Sequence, residues 1–208
     1  MSFSVVKITQ TGSSRLMARH MRLRDRVRPP LRVLFVGINP GIRSAAIGHH
    51  FAGYSNRFWK LLYDSRLVPE PIRTEDDIRL PEWGFGITNL IPRATPGIGT
   101  LRPDEYVKGI DVLRRKVRRW RPEAVALVGV TLYRIIFARR AADAVPLGLQ
   151  DREFEGARVF VLPNPSGRNA NFSYREMLTA YRGLRRFLER TRADPIARTG
   201  LSRSTAPR

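Results

Sequence analysis

Two asparagines stand just after short apolar runs, in turns built mainly from glycine and proline. Asn39 lies in GINPG after the run LRVLFV, and Asn164 lies in PNPSGRN after RVFVL. A side-chain amide takes up no proton at neutral pH, but its carbonyl can accept a hydrogen bond and orient a water molecule. Each turn taken alone is also typical of a structural loop, because Asn-Pro and glycine favour turns. Two Asn-Pro turns that both follow apolar runs are less easily explained as structural loops than one.

Other common catalytic arrangements are missing from the sequence. Neither the complete glycine fingerprint of dinucleotide-binding folds nor the Gly-Lys-Ser/Thr of phosphate loops is present. The chain has no cysteine, which excludes disulfides, thiolate metal sites and cysteine nucleophiles. His49 and His50 are adjacent, so their side chains are expected to point apart, and no metal site is predicted. Asp64, Asp76 and Asp77 are interpreted as solvated surface acids.

The turn around Asn164 continues into a segment with a projecting cation. Gly167, Arg168 and Asn169 form a short loop tip in which the arginine is the only long side chain. A rigid turn of this kind suits a wedge that enters a base stack and fills the gap left by an extruded base. A solvated surface turn is the alternative interpretation. Phe51, in the stretch GHHFAGYSNRFW, is a candidate stacking platform.

Short apolar runs alternate with helical patterns, and this order predicts how the candidate residues are positioned. Such alternation implies right-handed crossovers and a parallel sheet covered by helices on both faces. We therefore expect a three-layer α/β/α fold with a central, mostly parallel four-stranded sheet. Its four strands are predicted at RVLFV, FGITNL, AVALVG and RVFVLP. In such sheets the site lies outside the carboxyl ends of the strands, where GINPG, TNLIPRATPG and PNPSGRN should converge.

Charge is the strongest global property of the chain. Among 208 residues, 38 lysines and arginines against 18 acids give a formal net charge of +20. A polyanion is the expected partner, because each phosphate contacted releases condensed counterions. The alternative is a genome that favours arginine at solvated positions. The charge indicates nucleic acid but specifies no reaction.

Length and composition predict one domain between two basic segments. We expect a basic N-terminal arm at residues 1–30, an α/β domain at 31–190 and a disordered basic tail at 191–208. No apolar run is long enough to span a membrane and no secretory signal is recognisable, so a cytoplasmic, nucleoid-associated protein is expected.

Three blocks of the sequence together resemble a known family. GINPGIRSAAIGHHFAGYSNRFWKLL, GFGITNLIPRATPG and VFVLPNPSGRN occur in this order between residues 32 and 188. They resemble the mismatch-specific uracil-DNA glycosylases and thymine-DNA glycosylases, a branch of the uracil-DNA glycosylase superfamily. The resemblance implies an α/β/α domain that flips a base out of duplex DNA and hydrolyses its N-glycosidic bond, leaving an abasic site.

The resemblance also implies roles for individual residues around the base. Asn39 would position the attacking water. The backbone at Ile38 and the ring of Phe51 would hold the uracil. Ser44 would line the pocket near the methyl position of the base, and Asn89 would be a second polar residue beside it.

Further roles concern the thymine-active branch and the contact with the duplex. His50 matches a histidine found in that branch, and Asn164 is placed with the substrate-binding residues. Gly167, Arg168 and Asn169 would form the wedge, with backbone groups that read the widowed guanine. Arginine at this position is similar to the thymine-active branch, whereas many bacterial members carry leucine.

We expect a monofunctional hydrolase without a cofactor or metal. A lyase would need a lysine nucleophile, and Lys60 and Lys108 are interpreted as helix-surface residues. The expected partner is double-stranded DNA with a mismatched or damaged base, bound by a monomer that does not associate with membranes. Two alternatives stay open, a non-catalytic DNA-binding protein of the same fold and a hydrolase of free nucleotides.

Overall fold

A five-stranded mixed sheet forms the middle layer of the fold. The computed structural model describes residues 22–193, so the rest of the predicted arm and tail lies outside the described residues. The strands are β1 (Val33–Gly37), β2 (Phe85–Asn89), β3 (Ala124–Val128), β4 (Gly148–Phe154) and β5 (Ala157–Leu162). Their order across the sheet is β2-β1-β3-β5-β4. The domain boundaries drawn from the sequence stay predictions.

The predicted parallel arrangement is confirmed, but the predicted number of strands is wrong. β2, β1, β3 and β5 pair in parallel and correspond to the four predicted strands. β4 is a fifth strand, antiparallel to β5 at the edge of the sheet. The two strands are joined through Glu155 and Gly156, which have φ of 53° and 78°. Two consecutive positive φ values are typical of a tight hairpin turn.

Five α-helices surround the sheet within the described residues. They are α1 (Ile42–Ile47), α2 (Phe58–Asp64), α3 (Pro103–Trp120), α4 (Val130–Ile136) and α5 (Tyr174–Ala193). Two 3-10 segments, Thr74–Trp83 and Ile98–Thr100, lie before and after β2. No helix among residues 22–193 is long and apolar enough to cross a bilayer.

The central strands separate two apolar cores. Side chains alternate between the faces of a strand, so in β1 Val33 and Phe35 enter one core while Leu34 and Val36 enter the other. The first core is closed by α2, α5 and the longer 3-10 segment, and the second by α3 and α4. Because these strands are buried on both faces, they appear in the sequence as continuous apolar runs.

The two long helices begin at hydrogen-bonded caps that the sequence encodes. At the start of α5, Ser173 N donates to Glu176 Oε2 at 2.7 Å, and Glu176 N donates to Ser173 Oγ at 3.3 Å. At the start of α3, the Glu105 carboxylate accepts from Arg102 N at 2.9 Å. Acidic residues in the first turn and arginines in the last turn also match the dipole of each helix. These caps fix where both helices leave the loops at the carboxyl edge of the sheet.

Two helix-interior glycines offer a matched test of the packing. An added Cβ at Gly109 in α3 would lie 2.7 Å from the carbonyl oxygen of Leu90, whereas at Gly183 in α5 its nearest neighbour is the Phe160 ring at 3.6 Å. We expect Gly109→Ala to destabilise the protein by about 1–3 kcal/mol despite its better helix propensity. Gly183→Ala should be neutral or stabilising by up to about 1 kcal/mol. Thermal or urea denaturation of both variants checks the pair, and equal shifts would contradict the packing argument.

Candidate functional site

Four loops form a cleft at the carboxyl edge of the sheet, after β1, β2, β3 and β5. The cleft has a volume of about 1480 Å³. Small-molecule pockets usually have roughly 300–1,000 Å³, so this cleft has room for part of a polymer. The predicted site residues that line it are Ile38, Asn39, Ser44, His50, Phe51, Asn89, Asn164, Arg168 and Asn169. The structure brings these side chains together, and the roles predicted for them stay predictions.

The Asn39 side chain is held in one orientation by its amide nitrogen. Nδ2 donates to Thr95 Oγ1 at 2.7 Å and lies 3.3 Å from the carbonyl oxygen of Arg93. The backbone oxygen of Arg93 can only accept, so Nδ2 must face Arg93 and Thr95, and Oδ1 points away from them. Within residues 22–193, no hydrogen bond reaches Oδ1. The side-chain oxygen Oδ1 of Asn39 is therefore available as an acceptor in the cleft wall.

Thr95 is a site residue that the sequence analysis missed. It is 2% exposed and lines the cleft. Its hydroxyl accepts from Asn39 and donates to the carbonyl oxygen of Gly97 at 2.6 Å, while its N–H donates to the carbonyl oxygen of Pro40 at 3.1 Å. The sequence carries a signal for it, because Thr95 lies in TNLIPRATPG, one of the three loops expected to converge.

An ion pair stabilises the loop that carries Thr95. Arg93 donates from two nitrogens to the two carboxylate oxygens of Glu105, each at 2.7 Å, and also to the carbonyl oxygen of Thr100 at 3.0 Å. These hydrogen bonds from Arg93 hold the pKa of Glu105 at about 2. The pair links the loop after β2 to the start of α3, and through Thr95 it supports the orientation of Asn39.

Gly37, Asn89 and Phe51 meet at the floor of the cleft. A Cβ at position 37 would lie 2.7 Å from Asn89 Oδ1 and 3.5 Å from the Phe51 ring, so a larger residue there would displace the Asn89 side chain. Phe51 stacks on Phe58 with ring centroids 4.1 Å apart and planes at 21°. Phe58 is fully buried, whereas Phe51 is half-buried and lines the cleft. Phe51 therefore offers a flat ring face that the core fixes in place.

His50 lies beneath this floor as a neutral side chain. It is 2% exposed, and burial lowers its pKa below the ordinary value. Nε2 lies 3.0 Å from the carbonyl oxygen of Arg24, which can only accept, so Nε2 carries the proton. Nδ1 is then an acceptor, 3.4 Å from Asn89 Nδ2. This contact turns the Asn89 carbonyl oxygen toward Gly37 and the cleft.

Asp77 is not the solvated surface acid that the sequence predicted. Its side chain is 0% exposed. Oδ1 accepts from Arg26 Nε and from His49 Nδ1, each at 3.0 Å, and Oδ2 accepts from His50 N at 2.9 Å. The carboxylate is buried because three donors from the first half of the chain surround it. The acidic run TEDD gave no indication of these distant partners.

The two adjacent histidines have different partners, as their spacing predicted. The His49 ring bonds to Asp77, while the His50 ring lies between Arg24 and Asn89. Within the described part of the chain, no group of three or more His, Asp or Glu side chains is arranged to hold a metal ion.

Ser44 is buried and serves the local fold. Its side chain is 4% exposed, and its Oγ accepts from Ala52 N at 3.0 Å. This bond closes the turn that carries His50 and Phe51 over the start of α1. Ser44 borders the cleft, with its oxygen already engaged by the backbone.

The loop after β5 is ordered by its own asparagines. Asn164 Oδ1 accepts from Ser166 N at 3.0 Å, and Asn169 Nδ2 donates to the carbonyl oxygen of Asn164 at 2.8 Å. Gly167 packs against Ser55, where an added Cβ would come within 2.4 Å of Ser55 Cβ. The bonds give the loop a defined tip beside the segment that follows Phe51.

Arg168 projects from this tip across the mouth of the cleft. The residue is exposed, and its guanidinium donates to the carbonyl oxygen of Pro96 at 3.2 Å. The loops after β2 and β5 are thus joined by one solvent-accessible cation. An arginine in this position can move to meet a polyanion, because the contact that it gives up is a single exposed hydrogen bond.

The chain matches the model of a known protein family. The family model described as "Uracil DNA glycosylase superfamily" matches residues 25–185, well over half of the chain. The matched region contains the predicted site residues that line the cleft and begins just before Arg26, which pairs with Asp77.

The buried carboxylate provides a prediction for stability. Asp77→Asn keeps the shape of the side chain but removes its charge. It also places an amide NH2 group, itself a donor, among the donors that surround this position. We expect a loss of about 3 kcal/mol, or roughly 6–12 °C in melting temperature, because Arg26 is left without its partner. Asp111→Asn, on the exposed face of α3, makes the same charge change and should stay within about 0.5 kcal/mol. Similar losses in both variants would show that Asp77 has no special role.

The Arg93–Glu105 pair provides a prediction for pH. The folded pKa of Glu105 is lowered from 4.5 to about 2, so the pair stabilises the fold fully above pH 4.5. That contribution is lost as the pH falls from 4.5 toward 2, because the unfolded chain binds the proton first. The stability difference between wild type and Glu105→Gln should therefore narrow over this range. Urea unfolding at several pH values measures it, with the exposed Glu75→Gln as control, and a constant difference would contradict the assignment.

Proposed function

The chain belongs to the uracil DNA glycosylase superfamily, and we propose that within this family of N-glycosyl hydrolases it removes uracil from mismatched duplex DNA. The substrate would be uracil opposite guanine, as in the mismatch-specific and thymine-DNA glycosylase branch that the sequence resembles. Thymine and damaged pyrimidines are further candidates. The product would be an abasic site.

The observation that carries the proposal is the fixed orientation of Asn39. Its N–H groups are engaged by Thr95 and Arg93, and Oδ1 is left as an acceptor in the cleft. That oxygen would orient a water toward the anomeric carbon of an extruded nucleotide. The water oxygen forms the new bond to C1′, the N-glycosidic bond breaks, and its electron pair leaves with the base. The water gives up its proton to solvent.

The turn around Asn39 also supports stabilisation of the departing base. Within residues 22–193, no hydrogen bond uses the backbone N–H of Ile38 or Asn39. A donor already fixed toward a developing oxyanion contributes roughly 2.7–4 kcal/mol. These N–H groups would hydrogen-bond the anionic base, and the DNA phosphates would favour the cationic sugar. Strong acid–base catalysis is then unnecessary, in keeping with an amide at position 39.

Selection of the base would depend on Asn89. Its amide nitrogen faces His50 Nδ1 at 3.4 Å, and its carbonyl oxygen faces the cleft. A carbonyl oxygen accepts the N3–H of uracil or thymine, whereas N3 of cytosine is itself an acceptor and would be opposed. The ring of Phe51, supported by Phe58, would stack on the base.

Preference for a mismatch would arise when the base leaves the helix. Extrusion costs a few kcal/mol and less for a mispaired base, so a modest catalyst acts first on bases that leave most easily. Arg168 at the cleft mouth is suited to fill the gap, and Asn169 and the neighbouring backbone to contact the widowed guanine. The charge of +20 supports a DNA substrate over a free nucleotide. We further propose a monomeric, monofunctional enzyme of the cytoplasm, associated with the nucleoid.

Base release from defined oligonucleotides tests the proposal. Labelled duplexes with one G·U or one A·U pair, and the matching single strand, are treated with the protein and cleaved by alkali at abasic sites. Wild type should release uracil fastest from G·U. Asn39→Ala should lose at least about a hundredfold in single-turnover rate, because the water is no longer oriented.

Two further measurements make the result interpretable. The melting temperature of Asn39→Ala and its affinity for the G·U duplex should stay close to wild type, which separates lost chemistry from lost folding. If wild type binds the duplex but releases no base from any substrate, the alternative of a non-catalytic DNA-binding protein of the same fold takes the place of this proposal.

A further inference from the structure

Tyr54 stands exposed at the rim of the cleft. Its relative exposure is 91%, the highest of any large apolar side chain among residues 22–193. It lies in the segment between α1 and α2, three positions after Phe51. The residue lines the main cleft and also a smaller one of about 560 Å³ beside it, and the two share Arg43, Gly53 and Asn56. Tyr54 is thus part of the ridge between two adjoining clefts.

The ring is held in place despite its exposure. The guanidinium of Arg43 lies 4.0 Å from the ring centroid, and its Nη1 donates to the Tyr54 hydroxyl at 3.0 Å. Arg43 Nε is in turn fixed to the carbonyl oxygen of Ala52 at 2.7 Å. One face of the ring is therefore covered by a cation and the other is left open. Fixing the ring in advance lowers the entropy lost when a ligand stacks on it.

The fold does not require a tyrosine ring at this position. The backbone of the segment is closed by Asn56 N to the carbonyl oxygen of Gly53 and by Arg57 N to that of Pro165, both at 2.9 Å. Asn56 Oδ1 also accepts from Phe58 N at 2.9 Å and starts α2. None of these bonds involves the Tyr54 side chain. An aromatic ring that is fixed, exposed and unused by the core is suited to contact a ligand.

We propose that Tyr54, supported by Arg43, is a stacking subsite for an unpaired base next to the target base on the same strand. The inference rests on the proposed function, since it takes the base pocket to lie over Phe51. Three residues span at most about 11 Å, so the open ring lies within reach of a neighbouring nucleotide. A ring offers its face to any base, and base–aromatic stacking tolerates every sequence.

The charges around the ridge favour a strand passing between the clefts. Arg43, Lys60 and Arg73 line the smaller cleft, against Asp64 and Glu75. Lys60 and Asp64 form an ion pair, so Arg43 and Arg73 stand against Glu75 and leave this wall with a net positive charge. A backbone phosphate beside the stacked base would meet Arg43. The subsite would therefore add affinity for a DNA strand whose bases are already unstacked on one side of the target base.

A base-deletion scan tests the contact through binding. Single-stranded oligonucleotides carry one uracil, and each neighbouring base in turn is replaced by tetrahydrofuran. The Asn39→Ala protein is used so that the uracil stays in place. Removing the base that meets Tyr54 should weaken the Kd by about 5- to 150-fold, while removal elsewhere has a smaller effect. In the double variant that combines Asn39→Ala with Tyr54→Ala, this position-specific loss of affinity should disappear.

Two matched variants separate stacking from other effects. Tyr54→Phe keeps the ring and loses only the bond to Arg43, so the position-specific loss should remain. Tyr63→Ala removes another exposed tyrosine, which lines only the smaller cleft, and should also keep the loss. The inference is overturned if removing a base costs the same affinity with and without the Tyr54 ring. It is also overturned if no single position shows a loss of affinity.

The scan is independent of catalysis. If wild type releases uracil but the scan gives the same result with and without the Tyr54 ring, the subsite is rejected and the proposed function stays intact. A Tyr54-dependent scan without uracil release by wild type would reject the proposed function and leave a single-strand binding site. Absence of binding to every single-stranded oligonucleotide would overturn the subsite, while uracil release from the G·U duplex decides the proposed function separately.

Discussion

The buried carboxylate of Asp77 is the interaction on which the cleft most depends. A charge removed from water must be paired and hydrogen-bonded, or the folded state loses several kcal/mol. Asp77 meets this requirement with Arg26, the His49 ring and the backbone N–H of His50. These donors bring the N-terminal segment and the histidine turn together over the longer 3-10 segment. Because His50 is fixed here, Asn89 and Phe51 are fixed as well.

The predictable parts of this molecule are those decided by local pattern. β1 and β3 are buried on both faces and show as apolar runs, and the cap at Ser173 follows from its spacing to Glu176. The edge strand β4 was missed because GLQDREF is largely exposed and polar, although the Glu-Gly turn after it was a usable signal. The converging loops were predicted because parallel strands end at one edge.

The missed site features depend on distant partners. Asp77 contacts donors 51, 28 and 27 positions away, and Asn39 meets Thr95 across 56 positions. No window of the sequence contains both members of such a pair. An acid among other acids therefore resembles a surface residue, and a threonine before proline resembles part of a turn. Burial and side-chain orientation are properties of the assembled fold, which a single sequence does not display.

The cleft divides into a fixed interior and an open rim, and this division bears on selectivity. The interior consists of Asn39, Asn89, His50 and Phe51, each held by neighbours in the protein, so it has little freedom to adapt to ligands of different shape. Arg168 and Tyr54 are exposed at the rim. Arg168 donates to the backbone oxygen of Pro96, and the Tyr54 hydroxyl accepts from Arg43. A rigid interior distinguishes bases by shape and hydrogen-bond polarity. Under the proposed function, the rim would decide which bases reach the interior, because it would contact the strand while a base is extruded. Under the proposed function, discrimination between a paired and a mispaired uracil would come before chemistry, since the interior would meet the same base in both cases.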